Sequence, residues 1–276
     1  MNELLKNADL VRLAAFAGGL ALFALLEAAW PRRPRAISRW RRWPANLLLV
    51  AFNSLAVRLL LPFTALTTAF IVQQRGIGVL PALGLPDWLQ VVLAVVALDL
   101  VIYAQHVAFH KVPALWRLHR VHHTDLELDV TTGTRFHFIE IVLSMLIKMA
   151  AVAALGAPPL AVLLFEVLLN LTAMFNHSNL RLPQAADRLL RLVLVTPDFH
   201  RVHHSVLREE TDSNYGFNLS LWDRLFTTYR PQPRAGHLGM TIGLPQWRDI
   251  RTLNFVRLLT LPFEEPPEPE KSEETT

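Results

Sequence analysis

The sequence contains no cysteine. This absence excludes disulfide bonds, thiolate-ligated iron–sulfur clusters and cysteine-based zinc sites within the chain. Any redox chemistry must therefore receive its electrons from a separate protein. Charged residues are also scarce, at 18% of the total. The arginines flank apolar segments and form no surface interleaved with aromatic residues, which argues against nucleic-acid binding.

Apolar residues are abundant, at 52% of the chain, and the mean hydropathy is positive. Five segments are long and apolar enough to cross a bilayer: Leu10–Trp30, Asn46–Val72, Trp88–Phe109, Phe138–Leu155 and Leu160–Phe175. We therefore predict an all-α fold, an integral-membrane bundle of about four to five transmembrane helices. The first segment reads as an uncleaved anchor, because no small-x-small cleavage site follows it. Arg58 and Pro62 interrupt the second segment and predict a bent helix.

The charge distribution predicts the orientation of these helices. The formal net charge is +4, but the segment 264–276 holds six glutamates and one lysine, and the rest of the chain has 26 basic and 17 acidic residues. The loop Pro31–Pro44 carries six arginines and two tryptophans, which is typical of a short cytoplasmic loop. We accordingly predict an integral protein of a bacterial inner membrane, with every histidine motif on the cytoplasmic side.

Composition divides the chain into three regions. Residues 1–87 are predicted to form an N-terminal transmembrane hairpin and its basic loop. Residues 88–262 are predicted to form a histidine-bearing membrane domain with a cytosolic helical cap. Residues 263–276, rich in proline and glutamate, are predicted to be disordered. The segment Asp187–Val195 is compatible with a helix lying on the membrane surface or with a core helix of the cap.

Nine of the eleven histidines fall in four motifs beside apolar segments. The motifs are His106-Val-Ala-Phe-His110, His119-Arg-Val-His122-His123, Asn176-His177-Ser-Asn179 and His200-Arg-Val-His203-His204. Residues three and four apart share a helix face, so a group presents two or three imidazoles to one point. Pro113 forces a turn between the first two groups, which lets them converge. One pair of histidines at this spacing is a weak signal, whereas the four motifs together are a strong one.

The motifs predict a dinuclear metal site. An imidazole beside a membrane is costly unless it is neutralised or coordinated, and neutral imidazole is a ligand for iron and zinc. Nine histidines can serve two ions with four or five ligands each. Iron suits the cleavage of an unactivated C–H bond, which needs a redox metal, and zinc has no redox chemistry. Zinc is nevertheless possible in the purified protein, because such sites bind Zn²⁺ more tightly than Fe²⁺.

Two other classes of protein stay open at this stage. A zinc-dependent membrane hydrolase needs about three protein ligands and an open water site, and nine clustered histidines exceed that number. A non-catalytic metal-binding membrane protein or transporter would place polar residues within its spans. Arg58, Asp99 and Glu166 are such residues, whereas the histidines lie at the ends of the spans. Asp99 can face His106 or pair with Arg58.

The segment Trp88–Tyr229 resembles the fatty acid hydroxylase and sterol desaturase superfamily of integral-membrane di-iron oxidoreductases. The resemblance rests on the four motifs, on Thr196–Phe199 before the last one, and on Asn214–Tyr229. It implies a helical bundle under a cytosolic cap that holds two iron ions, with O2 as co-substrate. It also implies hydroxylation or desaturation of a C–H bond of a lipid, fatty acyl chain or sterol-like substrate. The implied metal ligands are His106, His110, His119, His122, His123, His177, His200, His203 and His204.

Other polar residues are candidates for a further ligand or for orienting a ligand's ring. The family often has R-x-H-P-x-E where this chain has Arg135-Phe-His137-Phe-Ile-Glu140, which leaves the role of His137 open. The remaining candidates are Asn176, Asn179, Asp198 and Asp212, with Asp125 and Glu127 as further acceptors for ligand N–H groups. His237, in a stretch rich in proline and glycine, is predicted to be an ordinary surface residue.

Overall fold

The computed structural model describes residues 3–249, 251 and 254–266. Within these residues the regular secondary structure is helical, and the β-structure is limited to three isolated bridges. The first nine helices are α1 (Glu3–Lys6), α2 (Ala8–Ala29), α3 (Arg39–Leu60), α4 (Ala65–Arg75), α5 (Val79–Ala82), α6 (Asp87–Lys111), α7 (Pro113–His123), α8 (Phe138–Leu155) and α9 (Pro159–His177). Of the predicted tail 263–276, residues 267–276 lie outside the described residues.

The chain after α9 forms shorter helices. They are α10 (Gln184–Leu190), α11 (Pro197–His203), α12 (Arg208–Thr211), α13 (Leu221–Leu225), α14 (Gly236–Gly239) and α15 (Phe255–Thr260), with 3-10 turns at Thr132–Thr134 and Leu261–Phe263. Together with α7 they make a helical cap at one end of the bundle. The all-α prediction is confirmed.

Five regions of the described chain are long and apolar enough to span a membrane: α2, the region Arg39–Ala82, α6, α8 and α9. This number confirms the prediction of four to five spans, and α8 has the predicted bounds. Helix α9 packs against α2, α4 and α6 in the middle of the bundle. The small buried residues Ala65 and Ala69 of α4 share an apolar cluster with Phe165 of α9. Small side chains let membrane helices approach closely, so this cluster holds α4 against α9.

The second predicted span is wrong in two respects. The chain breaks after Leu61, because Pro62 lacks the N–H that a continuous helix needs, and α4 starts afresh. Thr64 caps α4 by accepting a hydrogen bond from the Thr67 amide at 3.3 Å. In addition, α3 begins at Arg39, inside the predicted loop, where the Ser38 side chain accepts from the Trp40 amide.

The basic loop joins the cap to the bundle. Five of its six arginines have internal partners: Arg32 with Asp198, Arg33 with the carbonyls of His237 and Met240, Arg35 and Arg39 with Glu27, and Arg42 with Asp125 and Asp129. Arg41 alone is exposed without a described ion pair. Much of the loop's charge therefore stabilises the fold in addition to any effect on orientation.

The cap carries apolar side chains on its outside. Helix α10 ends at Leu190, earlier than the predicted Asp187–Val195, and Arg191 is buried against Asp187. Leu189 is 70% exposed and Leu192 is 53% exposed. An arginine turned inward and leucines turned outward favour the membrane-surface interpretation of this segment over a core helix.

Candidate metal centre

The helix ends that meet under the cap carry the nine motif histidines. His106 and His110 lie in the last two turns of α6, and α7 begins at Pro113 after the predicted turn. His177 is the last residue of α9. The other six belong to α7 and to α11 with its C-cap. Each of the nine is at most 3% exposed, so the structure brings together all the histidines that the motifs single out.

The nine rings form two groups. The first group contains five residues, which are His106, His110, His119, His123 and His203. The second group contains four residues, which are His122, His177, His200 and His204. Within each group one nitrogen of every ring lies within 4.8 Å of the others. The groups have five and four members, and their role as the ligands of two ions stays a prediction.

The repeated H-x-x-H-H motif is divided between the two groups. In α7, His119 and His123 share a face and join the first group, while His122 turns to the second. The α11 motif does the reverse, because His200 and His204 join the second group and His203 joins the first. Each motif therefore links both groups, which gives a structural reason for its recurrence.

Backbone carbonyls fix which ring nitrogen carries the proton. Four Nδ1 atoms lie within hydrogen-bonding distance of a carbonyl: His106 of Tyr215 (2.7 Å), His122 of Arg135 (3.2 Å), His177 of Ala173 (2.7 Å) and His203 of Ser213 (2.7 Å). A carbonyl oxygen only accepts, so Nδ1 donates and Nε2 of each neutral ring is left with a lone pair. Gly133 permits this packing beside α9, since a Cβ there would lie 2.4 Å from the Ala173 oxygen.

Lone pairs face one another inside both groups. The Nε2 atoms of His122 and His177 are 3.0 Å apart, and those of His106 and His119 are 3.1 Å apart. Burial lowers the pKa of His122 well below its usual range and that of His119 to about 3, which keeps these rings neutral. Two neutral nitrogens this close repel unless a cation lies between them. The separations suit two ligands of one ion, each about 2.0–2.1 Å from it for zinc.

Several ring nitrogens have no hydrogen-bond partner although they are buried. These include both nitrogens of His110 and His204 and the Nε2 atoms of His123 and His203. Burying a polar atom without a partner is unfavourable by about 1–3 kcal/mol. The donor set, being imidazole throughout, fits iron or zinc and does not fit the oxygen-preferring Mg²⁺ or Ca²⁺.

Glu140 is a site residue that sequence analysis left without a role. Its Oε1 lies 2.7 Å from His119 Nδ1, so it accepts the ring N–H and orients Nε2 into the first group. Glu140 is 4% exposed and lies in the first turn of α8. The signal was present in the sequence, because Glu140 is the glutamate that ends the His137-Phe-Ile-Glu140 string.

We expect Glu140→Gln to weaken metal binding by about 10- to 100-fold, the usual cost of losing a partner that orients a ligand. The neutral amide accepts the His119 N–H less strongly and no longer balances the charge of an ion. Competition with a chelator measures the affinity. Glu209→Gln is the matched control, since Glu209 is exposed on α12. Equal affinity for the two variants would show that Glu140 does not support the site.

The predicted ring-orienting carboxylates are mostly engaged elsewhere. Asp125 pairs with Arg42 at 2.6 Å, Glu127 accepts the Ala36 amide at 2.8 Å, and Asp198 pairs with Arg32 at 3.0 Å. These three predictions are corrected, because two arginines and one backbone amide of the basic loop bind the carboxylates. Asp212 alone among the four approaches a motif histidine, with Oδ1 3.5 Å from His110 Nδ1.

His137 and the two asparagines have structural partners. His137 caps α8, accepting from the Ile139 amide at 3.3 Å, and its Nε2 lies 3.2 Å from the Leu259 oxygen. Asn176 donates to the Phe217 carbonyl at 3.0 Å, and Asn179 donates to the Arg33 carbonyl at 2.8 Å. His137 lies outside the two histidine groups. The Oδ1 atom of Asn176 is buried without a hydrogen-bond partner among the described residues, so its role as a further ligand stays a prediction.

Two further expectations are wrong. His237 is 5% exposed and lies 3.6 Å from Asp198, so it is an internal residue rather than a surface one. Asp99 faces neither His106 nor Arg58, because it accepts from Trp222 Nε1 at 2.8 Å and from the Leu219 amide at 3.2 Å. Asp99 thus joins α6 to the cap.

A cavity of about 420 Å³ is lined in part by His106 and His119 of the first histidine group. Most of its lining residues belong to α2, α3, α6, α8 and α9, which are candidate membrane spans, and the others belong to α7, the loops and the cap. His106, His119 and Glu140 line one part of it, beside the apolar rings of Phe109 and Phe136. This volume is within the range of pockets that hold a small molecule. The cavity therefore connects the interior of the candidate membrane spans with the first histidine group.

Several proteins of known activity are similar to the chain. Ornithine lipid hydroxylase OlsE of Rhizobium tropici is 33% identical over 158 residues, which cover 56% of this chain and 47% of that protein. Alkylglycerol monooxygenase of Homo sapiens is 29% identical over 57% of this chain and 34% of its own length. Cholesterol 25-hydroxylase of Mus musculus is 27% identical over 52% and 47%. The matched segment thus spans less than half of each of these relatives. No solved structure matches the chain.

A family model described as fatty acid hydroxylase matches residues 91–228, which is half of the chain. The match begins in α6 and ends after α13, so it includes every motif histidine and Glu140. The histidine spacing, the divided motifs and this match agree with one another. The chain belongs to the fatty acid hydroxylase family.

Proposed function

We propose that this protein is an O2-dependent di-iron oxidoreductase that hydroxylates or desaturates a C–H bond of a membrane lipid. The observation that carries the proposal is the pairing of two buried all-histidine groups with an apolar cavity that ends at the first group. Bound iron would supply the redox chemistry that activates O2. The candidate ligands are the five histidines of the first group for one ion and the four of the second group for the other.

The residues of this chain contribute binding, orientation and the exclusion of water. Carbonyls and Glu140 hold the rings so that Nε2 points inward. Phe109, Phe136 and Phe217 surround the end of the cavity near His106 and keep it apolar. A C–H bond brought to this end is placed next to the proposed oxidant, and such positioning supplies a large part of a rate enhancement.

The relatives' names favour a lipid substrate with a polar head group. They describe hydroxylases of ornithine lipids and of cholesterol and a monooxygenase of alkylglycerols, which share an apolar body and a polar end. We include desaturation because the same positioned C–H bond serves either outcome. Neither a zinc-dependent hydrolase nor a non-catalytic metal-binding protein is favoured by any feature of the site.

A separate electron-donor protein completes the proposal. The chain has no cysteine and therefore holds no thiolate-ligated cluster of its own. We place the cap and both histidine groups on the cytoplasmic side of a bacterial inner membrane. The arginine-rich loop supports this orientation, because it lies at the cap end of the bundle.

Comparison of lipid extracts tests the function without a guess about the substrate. We expect cells that express the chain in iron-supplied medium to contain a lipid that gains one oxygen atom or loses two hydrogen atoms. Purified protein loaded with zinc is expected to give no such product, and iron replacement is expected to restore it. Lipid profiles that are identical with and without the chain, under iron supply, would contradict the proposal.

A further inference from the structure

The cavity that reaches the histidines also passes three charged residues inside the bundle. Arg12 of α2, Lys148 of α8 and Glu166 of α9 line it away from the metal centre. Arg12 Nε lies 3.0 Å from Glu166 Oε2, and Lys148 Nζ lies 3.2 Å from Glu166 Oε1. Lys148 and Glu166 are 8% and 7% exposed. Charged residues within membrane spans are rare and read as functional by default.

The two cations of this group have two carboxylate partners, and of these two Glu166 is buried and Asp9 is exposed. Two cations share one buried carboxylate, and the second acidic partner, Asp9, pairs with Arg12 from the surface, where its side chain is 86% exposed. An ammonium group has three donors, and among the described residues Lys148 Nζ has one acceptor, Glu166 Oε1. A buried ammonium with unused donors facing a cavity is suited to an anionic oxygen ligand.

The separation along α8 gives the geometry of such a ligand. Lys148 follows Glu140 by eight residues, which is about 12 Å along the helix axis. Glu140 contacts His119 in the first histidine group. Between these two ends the cavity is lined by the apolar Ile141, Met145 and Leu169, and the polar Ser144 and Gln105 are hydrogen-bonded to each other there at 3.1 Å. The occupant must therefore be a molecule with an anionic end, an apolar chain and a reacting carbon far from that end.

We propose that Lys148 and Arg12 bind the anionic oxygen group, a carboxylate or a phosphate, of the lipid substrate and so determine which carbon is oxidised. The oxidation in this inference depends on the proposed function, whereas the binding of the anionic group does not. One bound monoanion would give Lys148 a second anionic partner on the cavity side, beside Glu166. The oxidised C–H bond is then remote from the anionic group and is not on the carbons next to it.

Binding of three sixteen-carbon probes tests the proposal: palmitate, hexadecyl phosphate and the uncharged hexadecanol. Radiolabelled palmitate is bound to the purified full chain in detergent under nitrogen, so that no turnover occurs, and the other two compete. We expect Lys148→Met to weaken palmitate binding by about tenfold or more, as loss of a charge-assisted hydrogen bond does. Hexadecanol binding should change by less than about twofold.

Three variants accompany Lys148→Met. Lys148→Arg retains the cation and should restore palmitate binding, while Glu166→Gln removes the competing carboxylate and should tighten it. Arg75→Met, at an exposed position of α4, is the matched control and should change nothing. If hexadecyl phosphate competes better than unlabelled palmitate, and Lys148→Met abolishes this difference, the proposal holds and the bound anionic group is the phosphate of a phospholipid.

Two results would overturn the proposal. Unchanged selectivity for palmitate over hexadecanol in Lys148→Met would show that Lys148 does not bind the anionic end of the lipid. Equal losses of all three probes in Lys148→Met and Glu166→Gln would show that the charged group only ties the helices together. Anion-selective binding without any lipid product in cells would contradict the proposed oxidoreductase function but not the binding role of Lys148. A lipid product without Lys148-dependent selectivity would contradict only the binding role of Lys148 and Arg12.

Discussion

Replacing His203 or His204 with alanine is expected to reduce product formation more than about 100-fold, beyond the usual effect of losing a ring-orienting partner. The two residues are adjacent in sequence but belong to different groups, His203 to the first and His204 to the second. If two ions are required together, both single variants are inactive. Mass spectrometry of the lipid product measures the loss.

His137→Asn is the matched control for these two variants. His137 is a buried histidine of the same domain, but it caps α8 and lies outside both groups. Asparagine is a preferred helix N-cap residue, so α8 should keep its start and activity should remain. An active His204→Ala protein would mean that the second group is not needed for the reaction. An inactive His137→Asn protein with an unchanged unfolding temperature would assign His137 a role that its contacts do not suggest.

Arg42→Met is expected to destabilise the protein by about 3–5 kcal/mol, because it removes the guanidinium that pairs with two buried carboxylates. Arg42 pairs at 2.6 Å with both Asp125 and Asp129, and all three side chains are fully buried. For a chain of this size the loss corresponds to a fall of about 10 °C in unfolding temperature. Thermal unfolding in detergent measures it. Arg41→Met, at the exposed neighbouring position, should have little effect.

The pH dependence of this effect has a defined sign. Burial alone would raise the pKa of Asp125, but the charges of Arg42 and Arg135 lower it from 3.8 to about 2. A lowered carboxyl pKa adds stability that is present above pH 3.8 and is lost as the pH falls through about 2. In Arg42→Met the carboxyl is neutralised more easily, so the difference between variant and parent should shrink as the pH falls. A constant difference over this range would contradict the assigned ion pair.

Local patterns predicted the features that depend on neighbouring residues. Apolar runs gave the bounds of α8, and the position of Pro113 predicted the break between α6 and α7. The four-residue spacing in α7 and α11 correctly placed His119 with His123 and His200 with His204. The three-residue pairs, His119 with His122 and His200 with His203, were expected on the same face but divide between the two groups. The correctly predicted features follow from helix periodicity and proline chemistry alone, without knowledge of the packing.

The errors concern partners that are distant in sequence. Asp125 lies 83 residues from Arg42, which captures it, and Asp99 lies 123 residues from Trp222. Spacing identifies the face on which a carboxylate lies, but only the packing of α3 and α6 against the cap determines what it meets. Glu140 was missed for the same reason, since its contact with His119 depends on how α8 packs against α7.

Counting the metal ions bound to the purified chain tests the central claim most directly. The protein would be expressed with iron, purified in detergent and analysed for iron and zinc per chain, beside His203→Ala and His204→Ala. We expect two ions per chain in the unaltered protein and a loss of metal in each variant, with nitrogen ligands in the X-ray absorption spectrum. One ion or none in the unaltered protein, or metal content that neither variant changes, would contradict the assignment of two histidine-bound ions.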